Sequence, residues 1–181
     1  NAINTILGFI GKKLGLELMS ELRGRPDIMN LARDAFINET GRALIARHRL
    51  LGDPLFTPAG FKEFADDLLA RMVNPFLSDT VDRAMRDPVR KLGYSDRIFG
   101  AMRLCLGQGV VPVNLAAGAL AGLRVLLAGH DKYNLPAGLD FKPDAKLTHG
   151  DIKAVLSWLW LDSYSEEDMN RISDLLVTAG K

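Results

Sequence analysis

Arg83, Arg86, Arg90, Lys91 and Arg97 crowd into residues 74–97, NPFLSDTVDRAMRDPVRKLGYSDR, in a chain whose formal net charge is only +1. Guanidinium groups grip phosphate or carboxylate through two parallel hydrogen bonds, and lysine adds a compact charge. Brought to one point, these side chains would hold an anionic or polyhydroxylated ligand. Arg83, Arg86 and Arg90 stand three and then four residues apart, a spacing that shares one face of an unbroken helix. Pro88 argues against that continuity, because it lacks an N–H and restricts the residue before it. The expected arrangement is a corner, with Asp87 as N-cap, Pro88 at the first position of a new turn, and free N–H groups adding to the cations. Asp79, Asp82, Asp87 and Asp96 interleave with them, so spacing alone leaves a second reading open, a solvated and salt-bridged surface.

Other chemistry finds less support. His48, His130 and His149 lie far apart with no metal-ligand partner at helical spacing, so no metal is expected. His48, between Arg47 and Arg49, reads as a surface residue. No glycine-rich dinucleotide turn, phosphate-binding loop or nucleophile elbow is present. The acids of Asp66-Asp67 and Glu166-Glu167-Asp168 point in different directions along a helix and suit solubility and capping. Trp158 and Trp160 fall in an apolar helix as core or interface residues. Cys105 is the single cysteine. It permits no internal disulfide or thiolate cluster, so a reducing, cytoplasmic setting is expected.

The elements that must position the cations are all helical. With 48% hydrophobic and 25% charged residues in 181, the chain reads as one all-α domain spanning 1–181, large enough for a real core. The near-zero charge counts against a nucleic-acid binder, and no apolar run is long enough for a membrane helix. An opening helix is expected over 5–22, where Gly8, Gly11 and Gly15 would let another backbone come close. A long amphipathic helix follows from Pro26 to about Leu51, and a third runs from Pro58 to Met72. Beyond the corner, Ser95 is expected to cap a helix through Leu106, and Asn114 to begin one that ends at Ala128. Residues 129–147, with Pro136, Gly138 and Pro143, read as a surface loop. Thr148 with Asp151 and Ser165 with its acids open the last two helices. The first residue is not Met, so the chain reads as a fragment or processed product, with Asn1-Ala2 native or left from a tag.

Residues 74–123, in which NP…D…R…RDP.RKLG..DR is followed by G..P.NL..G.A, resemble the C-terminal domain of the polyol-specific long-chain dehydrogenases, the mannitol dehydrogenase and mannitol-1-phosphate 5-dehydrogenase family. The resemblance extends from the first residues to about Ala128. It implies a multi-helical substrate domain working with an N-terminal Rossmann-type domain that this sequence lacks. It also implies NAD as cofactor and a hexitol phosphate or related polyol as substrate, foremost the interconversion of mannitol 1-phosphate and fructose 6-phosphate, with hexonates as an alternative anion. Arg83 and Lys91 match residues the family directs at substrate, and Arg86 and Arg90 belong to the form seen in the sugar-phosphate enzymes. Asn1 matches the family asparagine that stabilises the developing alkoxide, and Asn4 stands where the family carries histidine. The general-base lysine falls before Asn1, so this fragment alone is expected to be inactive. The alternative is a noncatalytic helical interaction or ligand-sensing module.

Overall fold

The computed structural model describes residues 1–142, 144–161 and 164–180, and among them every regular element is a helix. The opening helix α1 is Ala2–Lys13, shorter than its apolar pattern suggested. Gly15 takes φ 72°, and the amide of Leu16 donates to Gly11 O at 3.0 Å while that of Gly15 donates to Lys12 O at 3.1 Å. That pair of bonds is a Schellman stop, which needs a left-handed residue that glycine supplies without steric cost. The chain then runs extended, and an isolated antiparallel bridge joins Leu18 to Thr80.

The long helix is three segments in one rod: α2 (Pro26–Asp34), a π-helical stretch (Ala35–Gly41) and α3 (Arg42–His48). A short 3-10 turn (Arg49–Leu51) ends it at Gly52. Helix α4 (Pro58–Met72) starts where Thr57 accepts a hydrogen bond from the Gly60 amide at 3.1 Å, with proline at the first position. Two short helices, α5 (Val81–Met85) and α6 (Pro88–Lys91), form the corner. They lead into α7 (Arg97–Gly107), α8 (Val113–Ala128), α9 (His149–Trp160) and α10 (Glu166–Ala179). Asp96, one residue beyond the expected Ser95, caps α7 by accepting from the Arg97 amide at 2.7 Å. Thr148 and Asp151 form a reciprocal capping box, and Ser165 accepts from Asp168 N. Residues 129–147 are irregular apart from a 3-10 turn (Ala137–Leu139), yet Leu135, Leu139 and Leu147 are buried, so the segment is pinned to the body. Pro143 lies outside the described residues.

At the centre, α1 packs against α5, α7 and α8. Two of the three glycines expected to permit close approach do so. A methyl at Gly8 would come within 2.9 Å of Ala84 Cβ, and one at Gly11 within 2.9 Å of Val81. Helix α8 receives α1 in the same way, since a methyl at Gly118 would lie 2.5 Å from the Ile6 side chain. The start of α8 has no side-chain cap of its own. Glu39, 3% exposed in the π-helical stretch, supplies one from across the fold. Its carboxylate accepts from Asn114 N at 2.7 Å, Asn114 Nδ2 at 2.9 Å and Leu115 N at 2.9 Å. A buried carboxylate is tolerable because backbone donors at a helix start replace its water.

Two substitutions test this framework by urea denaturation. Gly118→Ala is expected to cost roughly 1–3 kcal/mol through overpacking against Ile6. Glu39→Ala should cost roughly 2–4 kcal/mol, because it strands buried amides. A loss below about 0.5 kcal/mol in either variant would show that the contact carries little of the stability.

Candidate functional site

The corner forms because α5 cannot continue. Thr80 caps its start, accepting from Arg83 N at 3.2 Å, and Arg86 leaves the helix in an extended conformation with φ −50° and ψ 140°. Asp87 then adopts the left-handed region, φ 61° and ψ 58°, immediately before Pro88 opens α6. A left-handed non-glycine residue costs about 1–2 kcal/mol and is characteristic of sites where geometry matters more than local comfort. Asp87 makes no side-chain cap, contrary to expectation. Capping needs an extended backbone that folds the side chain over the first amides, and the left-handed turn directs it elsewhere. Its carboxylate instead accepts from Arg90 Nε at 2.6 Å. With only four residues, α6 adds little dipole, so the side-chain charges dominate.

Asn1 and Asn4, at the start of α1, share a cavity of about 380 Å³ with Arg83, Arg86, Arg90 and Lys91. The structure therefore gathers all six residues singled out in the sequence, although a broken corner rather than one helical face does it. Both readings of the charges are present in the same cleft. Arg83 is paired with Asp79 at 3.0 Å, and Arg90 bridges Asp87 and Asp96, the latter at 2.9 Å. Arg86 is exposed and has no carboxylate partner among the described residues. Asp82 faces away from the cleft and pairs with Lys12 at 2.8 Å.

Lys91 is the unusual member. It is 5% exposed, and its Nζ donates to the Ala84 carbonyl at 2.7 Å, stitching α6 to α5. Burial pushes its pKa down to about 8, helped by the nearby charges of Arg97 and Arg90. Arg97, the fifth cation of the basic stretch and one to which the resemblance gives no role, also lines the cavity. Its Nη1 lies 3.5 Å from Thr5 Oγ1, which in turn donates to Asn1 O at 3.0 Å. Sequence patterning had no means to find Thr5, an ordinary helical threonine until the fold buries it.

The remaining candidates fall outside the cleft. His48 packs on Phe56, His130 lies between Asp131 and Pro136 O, and His149 sits beside Asp174. No group of three or more metal-ligating side chains occurs among the described residues. Cys105 is buried, which pushes its thiol up to about 12. Trp160 is a core residue that donates to Leu92 O at 3.2 Å and meets Phe99 edge to face. No helix among the described residues is long and apolar enough to cross a membrane.

Fold and cleft define an all-α domain whose cations converge at the start of its central helix. The model of the mannitol dehydrogenase C-terminal domain matches residues 1–135, and the chain belongs to that family. The match ends within the turn-rich segment, before α9. Among curated relatives, mannitol-1-phosphate 5-dehydrogenase of Bacillus subtilis is 30% identical over 129 residues, 71% of this chain and 32% of that protein. The same-named proteins of Halalkalibacterium halodurans and Brevibacillus brevis are 31% and 30% identical, over 67% and 61% of this chain and 30% and 27% of theirs. The chain thus spans about a third or less of the length of these relatives.

The depressed pKa of Lys91 predicts a signature in stability. Below about pH 8 the ammonium is charged in both states, and the folded chain bears the full cost of burying it. As pH rises from about 8 toward the ordinary lysine value of 10.5, the unfolded chain holds more protons and that cost is relieved. Comparison with Lys91→Met cancels the titration of the other lysines. The stability of the wild type relative to the variant should rise by roughly 1–3 kcal/mol across this window in urea denaturation. A flat difference would show that Lys91 titrates as an ordinary lysine.

Proposed function

We propose that this chain is the substrate-holding domain of an NAD-dependent polyol phosphate dehydrogenase that interconverts mannitol 1-phosphate and fructose 6-phosphate. The observation that carries the reading is a cleft, shared with Asn1 and Asn4, in which among the described residues Arg86 lacks a carboxylate partner and Lys91 bonds only a carbonyl. Such groups are under-neutralised, and a phosphate dianion would satisfy them. Membership of the mannitol dehydrogenase C-terminal domain family and the names of the relatives support the same substrate class.

In this reading Arg86 and Lys91 take the phosphate directly, while Asp79, Asp87 and Asp96 hold the Arg83 and Arg90 guanidiniums in place. The two asparagines face the polyol chain, where an amide can donate to an oxygen that gains negative charge as the alcohol becomes a ketone. The sequence carries no glycine-rich dinucleotide turn, and the described residues form no sheet to present one, so NAD fits a further, Rossmann-type domain rather than these residues. Bound there, the cofactor exchanges hydride with the sugar carbon.

In the complete enzyme, Arg83→Ala, Arg86→Ala and Lys91→Ala should each lower kcat/KM for mannitol 1-phosphate by about 10- to 100-fold. Arg86→Ala should leave the weak turnover of unphosphorylated mannitol unchanged. Steady-state kinetics on the two substrates decides the matter. An equal loss on both would remove the phosphate from the cleft, and unchanged constants in all three variants would remove these residues from the site.

A further inference from the structure

A second cationic cavity lies at the other end of α1. Lys12 and Lys13 close that helix, and Arg124 comes from the last turns of α8. With Lys132 they line a space of about 410 Å³ whose walls include Tyr133, Val125 and Ala128. Asp144 is the one carboxylate on the lining among the described residues. Lys12 is already engaged by Asp82, whose carboxylate Lys132 also attracts, whereas Lys13 and Arg124 have no carboxylate partner among the described residues.

Cations at helix C-termini ordinarily serve the dipole. That accounts for Lys12 and Lys13 as surface charges, but not for Arg124. Its Nε is buried with no hydrogen-bond partner, a state that costs free energy, and the residue also lines the cavity. The cavity is also asymmetric. The Tyr133 ring packs against Gly129, where a methyl would come within 2.5 Å of it, so one wall is a preformed aromatic surface. Lys132 stands 5.4 Å from the centre of that ring.

We propose that this cavity is a second anion site, which takes a phosphate monoester carrying an apolar or aromatic group, with Arg124 and Lys132 on the phosphate and Tyr133 against the remainder. The Arg124 guanidinium lines the cavity, and a guanidinium offers paired donors that match a tetrahedral oxyanion. Val125, Ala128 and the ring of Tyr133 give this site an apolar wall, whereas the cleft at Arg86 is lined almost entirely by charged and amide side chains. Along α1 the two lie roughly 12 Å apart, from the rise of about 1.5 Å per residue between Asn4 and Lys12. The inference does not depend on the polyol reading.

The test is amide NMR on the whole chain, titrated with phenyl phosphate and with inorganic phosphate at constant ionic strength. Phenyl phosphate is expected to shift Val125, Ala128, Gly129 and Lys132 and to bind there more tightly than inorganic phosphate. Arg124→Gln should weaken this binding by about 10- to 100-fold and the exposed Lys132→Gln by about threefold or more, whereas Arg86→Ala should leave it unchanged. Lys132→Gln keeps the test valid should Arg124→Gln perturb the fold. Unmoved amides at this end of α1, or affinity unaffected by Lys132→Gln and by a folded Arg124→Gln, would overturn the proposal. So would shifts reproduced by sodium chloride alone.

Discussion

The close approach of α1 to α5 on one side and α8 on the other is the constraint from which the rest of the structure follows. Gly8 and Gly11 admit Ala84 and Val81, while Gly118 and Gly122 admit Ile6 and Phe9. Any larger residue at these points would push the helices apart by a good part of a methyl group, and a close-packed interior absorbs such a change poorly. Because Ala84 sits one turn from the corner, this contact also sets where the cations stand relative to the start of α1. The cleft inherits its geometry from a packing rule that involves no polar atom.

The polar framework is built to match. Burial of Lys91 and the left-handed turn at Asp87 both cost free energy, and the surrounding core holds them in place. What the fold gains is a corner whose guanidiniums are oriented before any ligand arrives: Arg90 between Asp87 and Asp96, and Arg83 against Asp79. Pairs as exposed as these add little stability. Under the proposed function their value lies in restricting rotamers, so that less entropy is lost when an anion binds. Glu39 does for the start of α8 what the aspartates do for the arginines, with the difference that it is fully enclosed and its removal leaves amides without water.

Much of this was legible in the chain. The helical periods, the capping residues Thr57, Thr148 and Ser165, the proline at the head of α6 and the core placement of Trp160 all express local chemistry, and local chemistry is written in neighbouring residues. The errors share a cause. Helix α1 stops at Lys13 although Leu14 and Leu18 continue the apolar period, because the Gly15 turn satisfies the helix end and the chain after it pairs with Thr80. Asp87 looked like a cap because residue type signals capping only when the backbone is extended. The loop at 129–147 looked superficial because leucines spaced irregularly have no period, yet three of them reach the core.

The cleft divides along the same line. Residue type and order by themselves determined that Arg83, Arg86, Arg90 and Lys91 are cations beside a proline break, that the domain is all-α, and which family it belongs to. Tertiary structure alone decided which of those cations are neutralised, that Lys91 is buried against Ala84 O, that Asn1 and Asn4 face them across a shared cavity, and that Glu39 caps a helix far along the chain. Hydrogen-bond partners and burial depend on atoms that are distant in sequence. Their consequences for charge and pKa exist only after the backbone has closed around them.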